Sequence, residues 1–311
     1  MESNLSDVGE KELINYILSK CNTITPDDTA ITPLNKDLNL ISTTDLLIQS
    51  KHFPKTMSFF QMGFKAVTVN VSDLAAMGAK PLGFLLSIAI PKSLNFNDFK
   101  EIIDGVLKAC EFYEIPLIGG DTNQADEIII SGTALGLNDK SLMKNTYNNN
   151  DLIAITGDVG LAALGFYSNN PKYLENILKP IARIKEGIIL NENGATSCTD
   201  ITDGLGSELH EMFNGKGMLI YEDKLEISDE FKKIANSLGL NYLNLGFGFG
   251  EDFELLFTIP KDKVNQLKDK LDFKVIGEVV DSSKINLVLS NGEIKEIPQD
   301  GYDHFLWYSL S

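Results

Sequence analysis

A polar stretch near the middle of the chain, Asn138–Asp151, separates two series of alternating β-rich and helical segments, and this division constrains the fold most. The stretch includes the run Asn148-Asn149-Asn150-Asp151, which is typical of a loop. A chain of 311 residues is long enough for two domains of ordinary size, each with its own core. We therefore expect an α/β (α+β) protein with two domains, residues 1–138 and residues 139–311.

Strands and helices are both predicted on each side of this stretch. In the first half, β-branched runs bounded by Gly, Pro or Asn predict strands at Leu40–Thr44, Leu82–Ile90, Ile115–Ile118 and Ile128–Leu137. Helical spacing predicts a helix near Phe64–Gly78, whose small residues indicate close packing, and another over Phe96–Phe112. In the second half we expect strands at Leu152–Thr156, Phe253–Ile259, Phe273–Val280 and Ile285–Leu289. Helices are expected there at Leu161–Tyr167, at Ile184–Asn193, from Leu205 and after Pro260.

The charge balance limits the partners of the chain. The formal net charge is −17, from 27 Lys and Arg against 44 Asp and Glu, so a polyanion such as DNA or RNA would be repelled. An acidic enzyme that handles phosphate needs cations, and divalent metal ions held by carboxylates are the usual answer. A solvated acidic surface accounts for most of the excess charge at the same time.

Neither a membrane span nor a disulfide framework is indicated. The segment Met1–Glu10 has no secretory-signal pattern, and the longest apolar run, Leu82–Ile90, is far shorter than the ~20 residues that a membrane helix needs. We therefore expect a cytoplasmic protein. Cys21, Cys110 and Cys198 are widely separated and form no CxxC pair, so they are expected to be packing residues.

Several aspartates lie beside small or hydroxyl residues. In the first half they belong to Asp27-Asp28-Thr29 in a predicted turn, Thr43-Thr44-Asp45 at the end of a strand, Asn70-Val71-Ser72-Asp73 within a helix and Gly119-Gly120-Asp121-Thr122 after a strand. Mg²⁺ prefers oxygen ligands and keeps several waters, so carboxylates from different elements that meet in one cleft would suit it. A single aspartate of this kind is more often a cap or a turn residue, but four such strings in one half are harder to explain in that way.

Glycine and aspartate also mark three places in the second half. Thr199-Asp200-Ile201-Thr202-Asp203-Gly204 precedes a predicted helix. Thr202 or Asp203 could cap this helix, or its free N–H groups could receive a phosphate oxygen while the aspartates hold the metal ion. The loop Gly246–Phe253 and the turn Gly157–Gly160 are places where backbone can approach a ligand closely.

The common nucleotide and hydrolase motifs are missing from the sequence. It contains no GxxxxGK[ST] string, no protein-kinase catalytic-loop set, no strand-anchored GxGxxG and no GxSxG. The histidines, His52, His210 and His304, are too scattered for a convincing histidine metal site. The familiar ATP-binding folds are therefore excluded as far as motifs can exclude them.

Taken together, the strings resemble the thiamine-monophosphate kinase family of the AIR synthetase-like ATP-binding superfamily. The resemblance covers nearly the whole chain, from about Asp27 to Phe305. It rests on seven short strings in order, at residues 27–30, 42–45 with His52-Phe53, 70–79, 119–122, 200–205, 250–255 and 301–305.

The resemblance implies a fold, a set of ligands and a dimer. The fold would be a two-domain AIR synthetase-like one, with an N-terminal mixed sheet that pairs across a homodimer and a C-terminal α/β domain. The implied Mg²⁺ ligands are Asp28, Asp45, Asp73, Asp121, Asp200 and Asp203, with an oxygen from Thr43 or Thr44. ATP contacts are implied at Gly120, Asp121, Lys144 and Thr202, and thiamine monophosphate contacts at His52, Glu251 and Gln299.

The implied reaction is direct in-line attack of the substrate phosphate oxygen on the γ-phosphorus of ATP. It needs neither a phosphoenzyme nor a catalytic side chain, because such a transfer depends mainly on positioning and charge neutralisation. His52 is then a binding residue and not a base.

The chain also departs from the family pattern. Pro26, Phe249, Phe253 and Gln299 stand where Gly, Gly, Tyr and an aromatic residue are usual, and Lys144 stands where Arg is common. Two alternatives therefore stay open. One is another enzyme of the superfamily, such as AIR synthetase, selenophosphate synthetase or the hydrogenase-maturation dehydratase, and the other is a non-catalytic Mg-nucleotide-binding regulator. His52 together with Glu251 and Asp252 favours the kinase.

Overall fold

The computed structural model describes residues 10–21, 27–168, 170–213 and 215–298, which contain two mixed β-sheets. The strands of the first sheet are β1 (Ala30–Asn35), β2 (Leu38–Ile48), β3 (Lys80–Ile90), β4 (Leu117–Gln124) and β5 (Ile129–Asn138). Their order is β1-β2-β5-β3-β4, and only the β3–β4 pair is parallel in this sheet. The helices of this half are α1 (Glu10–Lys20), α2 (Gln49–His52), α3 (Phe59–Ala76) and α4 (Phe96–Phe112).

The second sheet is formed by the chain from residue 152 onward. Its strands are β6 (Leu152–Ile155), β7 (Ser197–Asp200), β8 (Gly217–Tyr221), β9 (Leu255–Ile259), β10 (Lys274–Val280), β11 (Ile285–Val288) and β12 (Ile294–Glu296). Their order is β12-β11-β8-β10-β6-β9-β7, in which β8 and β11 run parallel. The helices are α5 (Leu161–Ser168), α6 (Pro171–Leu178), α7 (Ile184–Glu192), α8 (Leu205–Met212), α9 (Asp229–Ser237), α10 (Tyr242–Gly248) and α11 (Val264–Lys268).

Helix α3 is the central helix of the molecule and is buried along most of its length. It begins with a capping box, in which the Gln61 N–H donates to Ser58 Oγ (3.2 Å) and the Ser58 N–H donates to Gln61 Oε1 (2.9 Å). Glycines let its neighbours approach closely: a Cβ on Gly105 of α4 would lie 1.9 Å from the Phe60 carbonyl oxygen, and one on Gly187 of α7 would lie 2.0 Å from that of Ala75. The close packing that the small residues predict is therefore confirmed.

Several sequence-based predictions of the elements hold, and others are wrong. Helix α4 has the predicted bounds, and each predicted strand overlaps an observed one. Thr43-Thr44-Asp45 lies inside β2 and does not end a strand, and Gly119-Gly120-Asp121-Thr122 lies inside β4 and does not follow one. Hydrogen bonding to neighbouring strands continues the extended structure through both segments, in the second of them although glycine disfavours it.

Other elements were not predicted. The first glycine of the expected loop Gly246–Phe253 lies within α10 and Gly248 ends it, so only the residues after Gly248 form the loop. The sequence analysis also missed the short or polar elements α1, α2, β1, α6, β7, β8, α9 and β12. Cys110 and Cys198 are buried free thiols, as expected of packing residues. No helix in the described part of the chain is long and apolar enough to cross a membrane.

Candidate functional site

Four aspartates from separate elements form one electrostatic cluster where the two sheets meet. Asp28 precedes β1, Asp45 lies on β2, Asp73 lies on α3 and Asp200 ends β7; we call them the carboxylate cluster. Burial raises the pKa of Asp73 most, and the charges of Asp45, Asp200 and Asp28 raise it further, as expected of carboxylates that lie near one another. The structure therefore brings these four aspartates into one neighbourhood, and their role as metal ligands stays a prediction.

Strand β2 and helix α3 fix the cluster on one face of the first sheet. Asn70 and Asp73 are three residues apart, and both face β2 as the spacing predicts. Asn70 Oδ1 accepts from the Asp45 backbone N–H at 3.2 Å, and Thr43 Oγ1 donates to Asp73 Oδ2. The Asn70 amide donates to the Ala66 carbonyl at 3.0 Å, which orients its oxygen toward Asp45.

Burial raises the pKa values in the cluster. It is the largest cause for Asp28, whose pKa rises to about 8, and for Asp45, whose pKa rises to about 6. The charge of Asp200 raises both values further. Burial also raises the pKa of Asp73 and Asp200. Each shift means that the ionised carboxylate is unfavourable here unless a cation accompanies it.

Lys144 supplies a positive charge to the cluster. Its Nζ lies 2.7 Å from Asp28 Oδ1 and 2.7 Å from Glu211 Oε2. Burial by itself lowers the pKa of Lys144, but the carboxylates of Asp28 and Glu211 outweigh it and raise this pKa. Lys144 therefore stays charged, yet among the described residues it pairs with only one member of the cluster. The cluster keeps an excess of negative charge.

Buried oxygens at the cluster also lack partners. Among the described side chains, Asp28 Oδ2, Thr29 Oγ1, Ser72 Oγ and Asp200 Oδ2 are buried without a hydrogen bond. Leaving such an atom unsatisfied costs about 1–3 kcal/mol, so this set of oxygens fits a hard cation that keeps its waters. No three His, Cys, Asp or Glu side chains in the described segments form a ready-made metal group. A Mg²⁺ ion here would share its ligands with waters and phosphate oxygens, as is usual for this ion.

Two predicted ligands, Thr44 and Asp121, lie on the face of the first sheet that is turned away from the carboxylate cluster. Thr44 points to the opposite face of the first sheet from Thr43, where its hydroxyl donates to the Gly132 carbonyl at 2.8 Å. Asp121 is exposed on edge strand β4 and is in register with Ser87 of β3, which is also exposed. Within one chain, the structure therefore brings Thr43 but neither Thr44 nor Asp121 to the cluster.

Gly120 is in register with Leu86, which is buried on the helix side of the sheet. A Cβ on Gly120 would lie 1.8 Å from the Leu86 carbonyl oxygen. No larger residue could keep this pairing, so the backbone of β4 requires glycine here.

The turn between β7 and α8 is organised by Glu208, a buried residue that the sequence reasoning missed. Glu208 Oε1 accepts from the Asp203 backbone N–H at 3.2 Å and from the Thr202 hydroxyl at 3.4 Å. The N-cap of α8 is Gly204, with no side-chain capping bond, so the capping role considered for Thr202 or Asp203 is wrong. Burial, with the charge of Glu211 second, raises the pKa of Glu208 well above its usual value.

The loop after α10 lies directly against this turn. Glu251 N–H donates to the Thr202 carbonyl at 2.8 Å, and Phe253 N–H donates to the Ile201 carbonyl at 3.0 Å. Glu251 (φ 61°) and Phe253 (φ 52°) both adopt the left-handed region, which is costly for residues other than glycine. Such strain persists only where the surroundings hold the backbone, and it concentrates at functional sites.

Glu251 and His52 are brought together by Lys65 of α3. The Lys65 Nζ donates to Glu251 Oε2 at 2.5 Å and to the His52 carbonyl at 3.1 Å. His52 Nδ1 accepts from the Ile48 backbone N–H at 2.9 Å, which fixes the ring at the end of α2. The predicted substrate residues from the two halves of the chain therefore share one location, and Lys65, which the sequence reasoning missed, joins them.

Aromatic residues pack beside the same loop. The ring centroid of Phe249 lies 5.4 Å from that of Phe166 and 5.7 Å from that of Tyr167. Phe249 thus fills space with a ring where the family usually has glycine. Gln299, Pro26 and the string at 301–305 lie outside the described residues.

Two family models cover most of the chain. AIR synthase related protein, N-terminal domain, matches residues 26–138, and AIR synthase related protein, C-terminal domain, matches residues 149–290. The structures of the hydrogenase maturation protein HypE share this fold: the one from E. coli has a TM-score of 0.70 at 19% identity and covers 93% of this chain and 98% of its own. At that identity the likeness shows the fold alone.

Thiamine-monophosphate kinases are more similar. The enzyme of Methanocaldococcus jannaschii is 35% identical over 89% of this chain and 91% of its own, and that of Pyrococcus abyssi is 36% identical over 89% of each. The solved structure of AaThiL complexed with AMPPCP and TMP has a TM-score of 0.87 at 28% identity, and it covers 98% of this chain and 99% of its own. The chain belongs to the thiamine-monophosphate kinase family.

Proposed function

We propose that this chain is an ATP-dependent kinase that phosphorylates thiamine monophosphate to thiamine diphosphate. The observation that carries the proposal is the carboxylate cluster at the junction of the sheets, with its excess negative charge and its unpartnered oxygens. The family supports the same reaction, since a related structure holds an ATP analogue together with TMP. The proposal places the protein in the cytoplasm.

Mg²⁺ is the cofactor that fits the cluster. Asp28, Asp45, Asp73 and Asp200 would hold it, with an oxygen from Thr43, and Asp203 would lie at the adjoining turn. When bound, the metal supplies the positive charge that lets two polyphosphate groups approach each other. Lys144 adds a fixed positive charge on the same side, beside Asp28.

The protein's own residues contribute position and charge. We assign no catalytic base, because a phosphate oxygen is already a competent nucleophile near neutral pH and the transition state is largely dissociative. The backbone at Gly120, Asp121 and Thr202 together with Lys144 would contact ATP. His52 and Glu251 would contact the thiamine phosphate from the other side, and Gln299 is assigned to that side by the family resemblance.

A homodimer is part of the proposal. The face of the first sheet that is turned away from α3 exposes apolar side chains to solvent. Leu46 of β2 and Ile118 of β4 are each 54% exposed. Thr44 and Asp121 lie on this same face, so pairing of two sheets would bury them and bring them to an interface. We assign ATP binding and dimerisation to residues 1–138 and the second α/β domain to residues 139–311. Light scattering at micromolar concentration tests the dimer, and a strictly monomeric species would contradict it.

A turnover assay tests the reaction directly. The protein is incubated with ATP, thiamine monophosphate and MgCl₂, and thiamine diphosphate and ADP are measured by chromatography. We expect the two products in equal amounts, and none of either when thiamine monophosphate is left out. ADP formation that does not depend on thiamine monophosphate would indicate another enzyme of the superfamily, and no turnover at all would favour a nucleotide-binding regulator.

A further inference from the structure

Lys65 is a buried cation at the contact between the two halves of the chain. Its side chain is 1% exposed, although it lies on a helix among apolar residues. Lysine is almost never buried unless its charge is paired, because removing an ammonium group from water is costly. Its contacts with Glu251 (2.5 Å) and the His52 carbonyl (3.1 Å) offset that cost. The position of Lys65 therefore depends on both partners, and theirs depend on Lys65.

The two partners come from segments that are far apart in the sequence and follow or precede strands of different sheets. His52 ends α2, directly after a strand of the first sheet, whereas Glu251 belongs to the loop before β9 of the second sheet. Glu251 is separated from Lys65 by 186 positions in sequence. An ammonium group that donates to two acceptors limits the distance between them.

The backbone conformation of Glu251 increases the dependence of its loop on the contact with Lys65. Its left-handed φ of 61° is unfavourable for a residue with a Cβ, so contacts must hold the loop in place. On one side the Thr202 carbonyl accepts the Glu251 N–H at 2.8 Å. On the other side the Lys65 ammonium holds the carboxylate. The Glu251 side chain stays 28% exposed, so part of it can still reach a ligand.

We propose that Lys65 is a positioning residue for the thiamine-phosphate subsite, holding Glu251 and the end of α2 at the separation that the substrate requires. The inference rests on the proposed kinase function. Lys65 itself does not contact the substrate in this arrangement, because its side chain is enclosed. It acts through Glu251 and the His52 segment, and it is independent of the carboxylate cluster that serves the metal ion.

The test is a steady-state comparison of Lys65→Met, Glu251→Gln and the double variant with the unmodified enzyme. We expect Lys65→Met to raise KM for thiamine monophosphate about 10- to 100-fold while KM for ATP changes less than about threefold. In the double variant the two effects should not multiply, because both changes break the same contact. A purely structural role of Lys65 would instead lower the midpoint of thermal unfolding and leave both KM values of the folded fraction unchanged.

Lys108→Met is the matched control, since Lys108 pairs with Glu111 on α4 at 2.7 Å but is 55% exposed; it should leave both KM values unchanged. If Lys65→Met does not fold, Lys65→Gln replaces it, because its amide can still donate hydrogen bonds but carries no charge. An unchanged KM for thiamine monophosphate in the folded variant, or effects that multiply in the double variant, would overturn the positioning role. Absence of turnover in the unmodified protein would refute the kinase function instead, so the two failures are distinguishable.

Discussion

The carboxylate cluster and the Lys65–Glu251 pair are both groups of charged side chains between the two sheets, but they differ in charge balance. In the pair, one ammonium meets one carboxylate at 2.5 Å. In the cluster, burial and neighbouring carboxylates raise the pKa values, and among the described residues Lys144 pairs with one of the four. Burial of like charges is costly, whereas a buried pair with good geometry roughly offsets its own cost.

This difference separates two kinds of functional role. An excess of buried negative charge indicates that a cation from solution completes the site. A balanced pair needs nothing further, so its role is to hold segments in place. Removing charge from the cluster should therefore affect metal binding and chemistry but not folding, whereas removing charge from the pair should affect the position of the substrate.

Asp73→Asn is expected to have the largest effect. It removes a charge from the centre of the cluster with almost no change in volume, and phosphotransfer should fall at least ~100- to 1,000-fold, as for other losses of transition-state charge stabilisation. Burial and three neighbouring carboxylates raise the pKa of Asp73, so its ionised form is unfavourable in the metal-free protein and its replacement by Asn should cost little stability there. The unfolding midpoint without Mg²⁺ should therefore stay unchanged.

Turnover and thermal unfolding of the same preparation provide the measurement. Asp104→Asn is the matched control, because Asp104 is exposed on α4, and it should retain full activity. Full activity of Asp73→Asn at ordinary Mg²⁺ concentration would contradict the proposal that the cluster holds the metal ion.

The other side of the comparison is tested by His52→Ala and Glu251→Gln. If these residues hold the substrate, each variant should bind thiamine monophosphate about 10- to 150-fold more weakly, the equivalent of roughly 1.5–3 kcal/mol for a hydrogen bond to a charged group. ATP binding should remain nearly unchanged. Calorimetric titration with each ligand separately gives both values. If ATP binding were lost and that of thiamine monophosphate kept, the two halves of the site would be assigned the wrong way round.

A smaller effect is expected when Mg²⁺ alone is added. A metal ion that binds the folded protein at ten times its Kd stabilises it by about 1.4 kcal/mol, which corresponds to a rise of roughly 3–5 °C in the unfolding midpoint. Differential scanning fluorimetry with MgCl₂ and with EDTA measures this rise. Asp73→Asn should lose most of it, whereas Lys65→Met should keep it. An equal rise in all variants would mean that Mg²⁺ binds elsewhere.

The sequence reveals the cluster more readily than the pair, for a physical reason. Each cluster aspartate lies in a local string of small and hydroxyl residues, and such strings can be recognised without knowing the fold. Lys65 has no such surroundings, because its charge is compensated by a residue 186 positions away. Nothing within α3 distinguishes it from a lysine at the surface. Glu208 was missed for a related reason, since its role depends on the path of the turn before α8.

The helices and strands divide in the same way, into those that local sequence predicts and those that depend on contacts with distant segments. The amphipathic period of α4 is local and predicts its bounds, Phe96–Phe112. Strand β4 contains Gly119 and Gly120, which favour a turn, and becomes extended because it pairs with β3. That pairing also decides the face on which Asp121 lies, which composition and spacing cannot indicate.

Asp252 offers a last and smaller test, as a partly buried carboxylate that forms no ion pair with any lysine or arginine in the described part of the chain. Its Oδ2 accepts from the Gly160 N–H at 2.6 Å and its Oδ1 from the Ala162 N–H at 3.2 Å, at the start of α5. Burial raises its pKa to about 7, and these two bonds only partly oppose the shift.

A raised pKa means that the folded state binds the proton more tightly than the unfolded state, so the contribution of Asp252 to stability is complete below about pH 4 and is lost as pH rises toward 7. In metal-free protein, titration of Asp252 should make the unfolding free energy fall by up to about 1.4 kcal/mol for each pH unit in that window. Asp252→Asn should abolish this part of the fall. Urea unfolding at pH 5, 6 and 7 measures the slope, with Asp104→Asn as the exposed control, and equal slopes in both variants would show that Asp252 does not titrate there.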